Sequence, residues 1–127
     1  MKVGAIVYYS IILIILSVLL YGFYFSMSSP YMISAEKARR LLNQKKIDLI
    51  LDVRTKTERD VFGYFPGSIH IPVASLNQEA LRKYPNKDVN ILIYCNTGQR
   101  ARVATEMLKG FGFKNVQYIP TSHVSLF

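Results

Sequence analysis

The chain has 127 residues, half of them hydrophobic, a single cysteine and a net charge of +8. That length gives room for one domain of ordinary size with a real core, and one cysteine excludes an internal disulfide framework. All acids and every base except Lys2 follow residue 27. They are interspersed, with no basic run interleaved with aromatics, so no nucleic-acid partner is expected. Anionic lipid headgroups or small anionic substrates suit the excess better.

From Val3 to Met27 the chain carries no charge. As a helix rising about 1.5 Å per residue, this run spans roughly 38 Å, against about 30 Å of bilayer hydrocarbon. Its centre is Ile and Leu, and Tyr8, Tyr9, Tyr21, Phe23, Tyr24 and Phe25 sit towards its ends, as in the aromatic belts of membrane interfaces. The expectation is a membrane anchor over residues 3–27. A cleaved signal peptide, with Ser26 and Ser28 as small residues, and a helix buried in a soluble core are the competing readings. Only Lys2 precedes the run, whereas Lys37, Arg39, Arg40, Lys45 and Lys46 follow it. This bias predicts a single-pass protein with a cytoplasmic C-terminal domain. Pro30 in "SSPY" resists continuation of the helix, which divides the chain into an anchor and linker, 1–30, and a folded domain, 31–127.

In the domain, Ser34 is a candidate N-cap for "AEKARRLLNQ", with Ala35, Ala38, Leu41 and Leu42 on one helical stripe. "IDLILDV" (Ile47 to Val53) and "VNILIYC" (Val89 to Cys95) are short apolar runs, as expected of parallel strands buried on both faces. Between them come a polar segment, the turn "GYFPGS", a short "IHIPV" and a predicted helix "LNQEALRKY" stopped at Pro85. "RARVATEMLKGFG" predicts a helix ended by Gly110 and Gly112, and "NVQYI" a further strand. The alternation implies an α/β domain with a mainly parallel central sheet flanked by helices. In such sheets ligands collect beyond the carboxyl ends of the strands, where Asp52 to Arg54 and Cys95 to Arg100 both fall.

Ordinary thiols are mostly protonated at neutral pH, and the thiolate is the nucleophile. A lone cysteine is more often a small buried apolar residue. Cys95, however, ends a strand, "NTGQ" crosses to a helix start, Gly98 lets successive amides converge, and Arg100 adds a fixed positive charge. This is the composition of an anion-cradling loop around a reactive sulfur.

"LDVRTKTE" (Leu51 to Glu58), "FPGSIHIPVASL" (Phe65 to Leu76), "IYCNTGQRARVATEML" (Ile93 to Leu108) and "GFKNV" (Gly112 to Val116) together resemble the rhodanese homology domain over most of residues 32–119. The resemblance implies a rhodanese-like fold and sulfurtransferase chemistry by covalent catalysis. Cys95 would take the outer sulfur of a donor such as thiosulfate, hold it as a persulfide and pass it to cyanide, a small thiol or a protein acceptor, with no cofactor and no metal. By the family's pattern Cys95 is the nucleophile, the backbone of Asn96, Thr97, Gly98 and Gln99 is the cradle, and Arg100 closes the loop and stabilises the anion. Asp52, Arg54 and Glu58 match supporting positions.

"CNTGQR" has four residues between cysteine and arginine, whereas related phosphatases and arsenate reductases have five. The shorter loop suits one sulfur atom better than a phosphate. Where the family commonly has Gly-His-Ile-Pro-Gly-Ala, this chain has "GYFPGS", with Tyr64 at the histidine position. The family's terminal Gly-Gly followed by Trp corresponds to Thr121, Ser122 and then Leu126 or Phe127, so the final closing helix is expected to be short or missing. These departures support an alternative, a catalytically weak rhodanese-like interaction module at a membrane. His70 and His123 are assigned no acid–base role, and one cysteine with two distant histidines does not make a zinc site.

Overall fold

A computed structural model describes residues 2–27 and 29–127. The uncharged run is one helix, α1 (Val3–Met27). Its stretch Val3–Phe25 has a mean hydropathy of 2.6 and is not buried against the rest of the chain, so by length and composition it is able to cross a membrane. Ser28 lies outside the described residues, and with it part of the "SSPY" join and one of the two small residues of the signal-peptide reading. Near the end of α1 the ring of Phe25 lies 3.5 Å from the Arg102 guanidinium.

The next helix, α2 (Ala35–Asn43), begins at the expected cap, where Ser34 accepts a hydrogen bond from the Lys37 N–H. Strand β1 (Leu49–Asp52) follows. The polar segment after it is not irregular but forms helix α3 (Lys56–Phe62), started by a capping box in which Thr55 and Glu58 satisfy each other's backbone N–H. Strand β2 (Ile69–His70) is two residues long. The helix expected over "LNQEALRKY" reduces to a single 3-10 turn, Glu79–Leu81. There the Asn77 side chain accepts from the Ala80 N–H, and Leu81 alone of the turn is buried. Leu76 and Leu81 are buried in the core and Tyr84 packs against it, so the segment makes its apolar contacts without a longer helix.

Strand β3 (Asn90–Tyr94), helix α4 (Gln99–Gly110) and strand β4 (Asn115–Tyr118) complete the core. The four strands form one parallel sheet in the order β2-β1-β3-β4. Asp52 stands in register with Tyr94 on one side and His70 on the other, so the carboxyl ends of three strands meet. Helix α4 packs Ala101, Ala104 and Leu108 with Leu49, Leu51, Ile91, Ile93 and Cys95. Ala38 of α2 packs with Leu92, Tyr94, Ile119 and Leu126 on the opposite face. Successive strand residues point to opposite faces, so Tyr94 and Cys95 serve different sides of one strand end. The closing helix is one 3-10 turn, His123–Leu126, tied to α2 by the Arg39 Nη1 bond to the Ser125 carbonyl at 2.6 Å.

Candidate active site

The loop between β3 and α4 is set by one glycine. Gly98 is the residue that caps α4, at φ 91°, in the left-handed region that side-chain-bearing residues rarely adopt. A Cβ there would stand 2.8 Å from the Pro120 Cα, so backbone packing as well as dihedral preference demands glycine. In this conformation the Gly98 N–H donates to Cys95 Sγ at 3.1 Å. Cys95 itself is fully buried, while Thr97 and Gln99 of the loop are exposed and Asn96 and Arg100 half-buried.

Glu58 reaches this loop from α3. It accepts from Arg100 Nη1 at 2.6 Å and Nη2 at 2.8 Å, and from Asn96 Nδ2 at 2.6 Å. The Arg100 hydrogen bond, aided by those from Thr55 and the Arg100 charge and opposed by burial, lowers the Glu58 pKa from 4.5 to about 2. Glu58 in turn raises that of Arg100. Arg100 thus closes the loop by a two-pronged bond to a carboxylate, the strong form of ion pair. Its described hydrogen bonds go to Glu58 rather than to the sulfur.

A second cluster lies beneath. Asp52 is fully buried and accepts from Arg54 three times, from the backbone N–H at 3.0 Å, Nε at 3.0 Å and Nη2 at 2.9 Å. Arg59 Nη1 and the Tyr94 hydroxyl each add a bond at 3.1 Å. Burial pushes the Asp52 pKa up, but the bonds and charge of Arg54 with the Arg59 bond outweigh it, and the net shift is down. Arg54 also donates from Nη2 to the Gly63 carbonyl at 2.7 Å, while its own carbonyl meets His70 Nε2 at 2.7 Å. Tyr64, at the position where the family commonly has histidine, lays its ring 3.8 Å from the Arg59 guanidinium. The three residues expected as one supporting set therefore divide: Asp52 and Arg54 form a buried hub, and Glu58 belongs to the loop.

Beside Asn96 is a cleft of about 320 Å³ lined by Arg54, Phe62, Asn96, Ser122, His123 and Val124. Sequence reasoning did not find the contributions of Arg59, Tyr94, Phe62 or His123. For α3 a signal existed in the Thr55-x-x-Glu58 capping pattern, which would have placed Arg59 and Phe62 on a helix. For Tyr94 and His123 no local signal exists, since their partners come from β1 and the chain's last turn. Among the described residues no group of three His, Cys, Asp or Glu could hold a metal ion.

A parallel α/β sheet with a cysteine loop at its carboxyl edge defines the rhodanese-like class, and the family described as "Rhodanese-like domain" matches residues 34–122. The chain belongs to that family. It is 31% identical over 103 residues to the mouse "Thiosulfate sulfurtransferase/rhodanese-like domain-containing protein 3", covering 72% of this chain and 64% of that one. It is 32% identical over 93 residues to the "tRNA uridine(34) hydroxylase" of Buchnera aphidicola, covering 68% of this chain and 28% of the relative. Several of the curated relatives are thus much longer than the matched region. Human single-domain sulfurtransferase TSTD1 shares the fold at a TM-score of 0.61 and 20% identity, over 76% of this chain and 95% of that chain. The single-domain sulfurtransferase RDL2 of Saccharomyces cerevisiae gives 0.59 and 26% over 78% and 89%.

Proposed function

We propose that the protein is a sulfurtransferase that carries sulfane sulfur as a persulfide on Cys95, in a domain of residues 31–127 held at a membrane by the segment 1–30. The observation that carries this reading is the Gly98 N–H aimed at Cys95 Sγ at 3.1 Å, in a loop clamped by the Glu58–Arg100 pair. The Cys95 thiolate attacks the outer sulfur of a donor such as thiosulfate. The donor's S–S bond breaks, sulfite leaves with the bonding pair, and the new outer sulfur is negative, which loop amides and the Arg100 charge stabilise. A thiophilic acceptor, cyanide or a thiol, then attacks that sulfur and Cys95 leaves as thiolate. Asn96, Thr97, Gly98 and Gln99 act through their backbone. Asp52, Arg54 and Glu58 position the loop without touching the reacting sulfur.

The full chain in detergent micelles, treated with thiosulfate, is expected to gain the mass of one sulfur, and Cys95→Ser to gain none. Sulfur uptake by Cys95→Ser would overturn the assignment. The exposed apolar length of α1 and the bases after it support a cytoplasmic domain on a single span. Labelling of Lys45 and Lys46 by an impermeant amine reagent from only the cytoplasmic side is the outcome that fits.

The complete burial of Cys95 favours a second reading, an interaction module with little turnover. Cyanide-dependent thiocyanate release at background, with a protein partner bound specifically by the full chain, would support that module instead.

A further inference from the structure

A cavity of about 390 Å³ lies at the amino end of the sheet, where Asn90 and Ile91 begin β3 and Asn115 and Val116 begin β4. Ile91 precedes Cys95 by four residues, about 13 Å along a strand, so this cavity is no part of the cysteine loop. Three lysines reach it from different elements: Lys46 beyond α2, Lys109 in the last turn of α4 and Lys114 just before β4. Among the described residues no carboxylate lines it. Asp88 engages Lys114 at 3.4 Å, and Asp48 accepts from the Asn90 N–H at 2.8 Å. Lys46 and Lys109 have no carboxylate partner among the described residues.

The backbone adds a donor. Strand β4 is the last in the sheet, and on its outer side the Tyr118 N–H donates to the Tyr31 carbonyl at 3.0 Å. N–H groups two residues apart along a strand face the same way, so the Val116 N–H also faces outward. The pairing beyond β4 stops at the Met32–Tyr118 bridge, because Pro30 and Tyr31 form a turn, and the Val116 N–H meets no backbone acceptor among the described residues. A single open N–H beside lysines is too little edge for a further strand to pair with. What suits ammonium groups and an N–H is an anion offering only acceptor oxygens.

The position of the cavity selects the anion. Pro30, which lines it, follows the last residue of α1 by three positions, at most roughly 11 Å of chain. The join also runs along α4, since Phe25 lies over Arg102 and Tyr31 beside Lys109. Those two basic residues are seven apart, about two turns along one helix face. The cavity is thereby tethered close to the headgroup layer of the membrane proposed for α1. Leu41 and Ile47, both half-buried, form an apolar wall beside the lysines. A free phosphate has no use for that wall, whereas a phospholipid has glycerol and acyl carbons to lay on it.

We propose that this cavity seats the headgroup of an anionic phospholipid, with the phosphodiester oxygens on Lys46, Lys109 and the Val116 N–H and the glycerol end against Leu41 and Ile47. This rests on the membrane-anchor part of the reading above and is independent of the persulfide. A lipid held there fixes the domain to the bilayer at a second point besides its own chain.

Two measurements on the full chain test it. In micelles of an uncharged detergent, dioctanoyl phosphatidylglycerol is titrated while the backbone amide resonances of Asn115, Val116 and Gln117 are followed by NMR. A saturable shift of Val116 is expected. Binding should be at least tenfold weaker for dioctanoyl phosphatidylcholine, whose choline cancels the phosphate charge, and for inorganic phosphate, which has no carbon to place on the apolar wall. Lys46→Gln and Lys109→Gln should each weaken phosphatidylglycerol binding at least fivefold. Lys45→Gln removes the same charge from an exposed neighbour outside the cavity and should change binding less than twofold.

An unmoved Val116 amide, equal affinity for the two lipids, or equal weakening by Lys45→Gln and Lys46→Gln overturns the site. Inorganic phosphate bound as tightly as phosphatidylglycerol overturns the lipid as its occupant. In the second measurement, the chain in vesicles of phosphatidylcholine with a minor fraction of phosphatidylglycerol is washed with alkaline carbonate, and retention is expected. Extraction would overturn the span, and with it the bilayer as the source of the ligand, even where Val116 still shifts. Retention with an unmoved Val116 would strike the headgroup site and leave the span standing.

Discussion

Two arginine–carboxylate pairs meet at the carboxyl edge of the sheet, and they differ in burial. Asp52 and Arg54 are both fully buried, whereas the side chains of Glu58 and Arg100 remain 22% and 34% exposed. Removing one partner of a buried pair leaves an uncompensated charge in low dielectric, while exposed pairs exchange readily with water. The deep pair is thus structural in its consequences, fixing where β1 and β3 end. The shallow pair fastens a loop, from a position where its loss still leaves a folded protein.

The largest effect is expected from breaking the deep pair. Asp52→Asn, or Arg54→Met which leaves Asp52 with Arg59 as its one cationic partner, should cost about 3–5 kcal/mol. That is a large part of the stability of a small domain, typically about 5–15 kcal/mol, and chemical denaturation of the full chain in micelles would measure it. Stability close to the parent would show that the hub is not buried as described.

Gly98→Ala comes next. The residue at φ 91° and the 2.8 Å approach to Pro120 force either strain or a shifted loop, at a cost of about 1–3 kcal/mol. Sulfur uptake from thiosulfate should fall by at least tenfold, since the N–H that meets Cys95 Sγ belongs to this residue.

Glu58→Gln sharpens the contrast between the pairs. It should cost only about 1 kcal/mol in denaturation, as for other partly exposed pairs, yet slow sulfur uptake several-fold by loosening Asn96 and Arg100. Glu58 titrates at about 2 in the folded protein against 4.5 ordinarily. A lowered carboxylate pKa adds stability that is complete above 4.5 and is lost as pH falls towards 2. The stability gap between parent and Glu58→Gln should therefore close over that interval. A gap independent of pH would mean that the carboxylate is not held by Arg100.

The smallest effect is expected at the rim. Tyr64→His, which restores the family's usual residue, gives up a contact between Arg59 and a half-exposed ring. Such contacts contribute about 0.5–1 kcal/mol, so the melting temperature should move by only a few degrees, with sulfur uptake close to the parent.

The sequence made these two pairs unequally legible. Asp52 and Arg54 stand two apart at the end of an apolar run, so their pairing needs only a strand end and a turn. Glu58 meets Arg100 across 42 residues, a contact that no local pattern specifies. The capping box at Thr55 was local and did mark α3, yet a polar composition concealed the helix. The reverse happened at "LNQEALRKY", where good helix formers made one 3-10 turn while Leu76 and Leu81 still reached the core.

What the sequence determined by itself are the features written in local chemistry: an uncharged apolar run of bilayer length, strands read from short apolar runs, a helix capped by Ser34, and a cysteine followed by glycine and arginine at loop spacing. These depend on periodicity, propensity and residue type, which act over a few neighbours. Tertiary structure alone decided that Arg100 binds Glu58, that Tyr94 and Arg59 share Asp52, and that His123 from the last turn stands in the cleft beside Arg54. Each joins groups far apart in the chain, brought together because burying the sheet's two faces leaves the ends of β1 and β3 side by side.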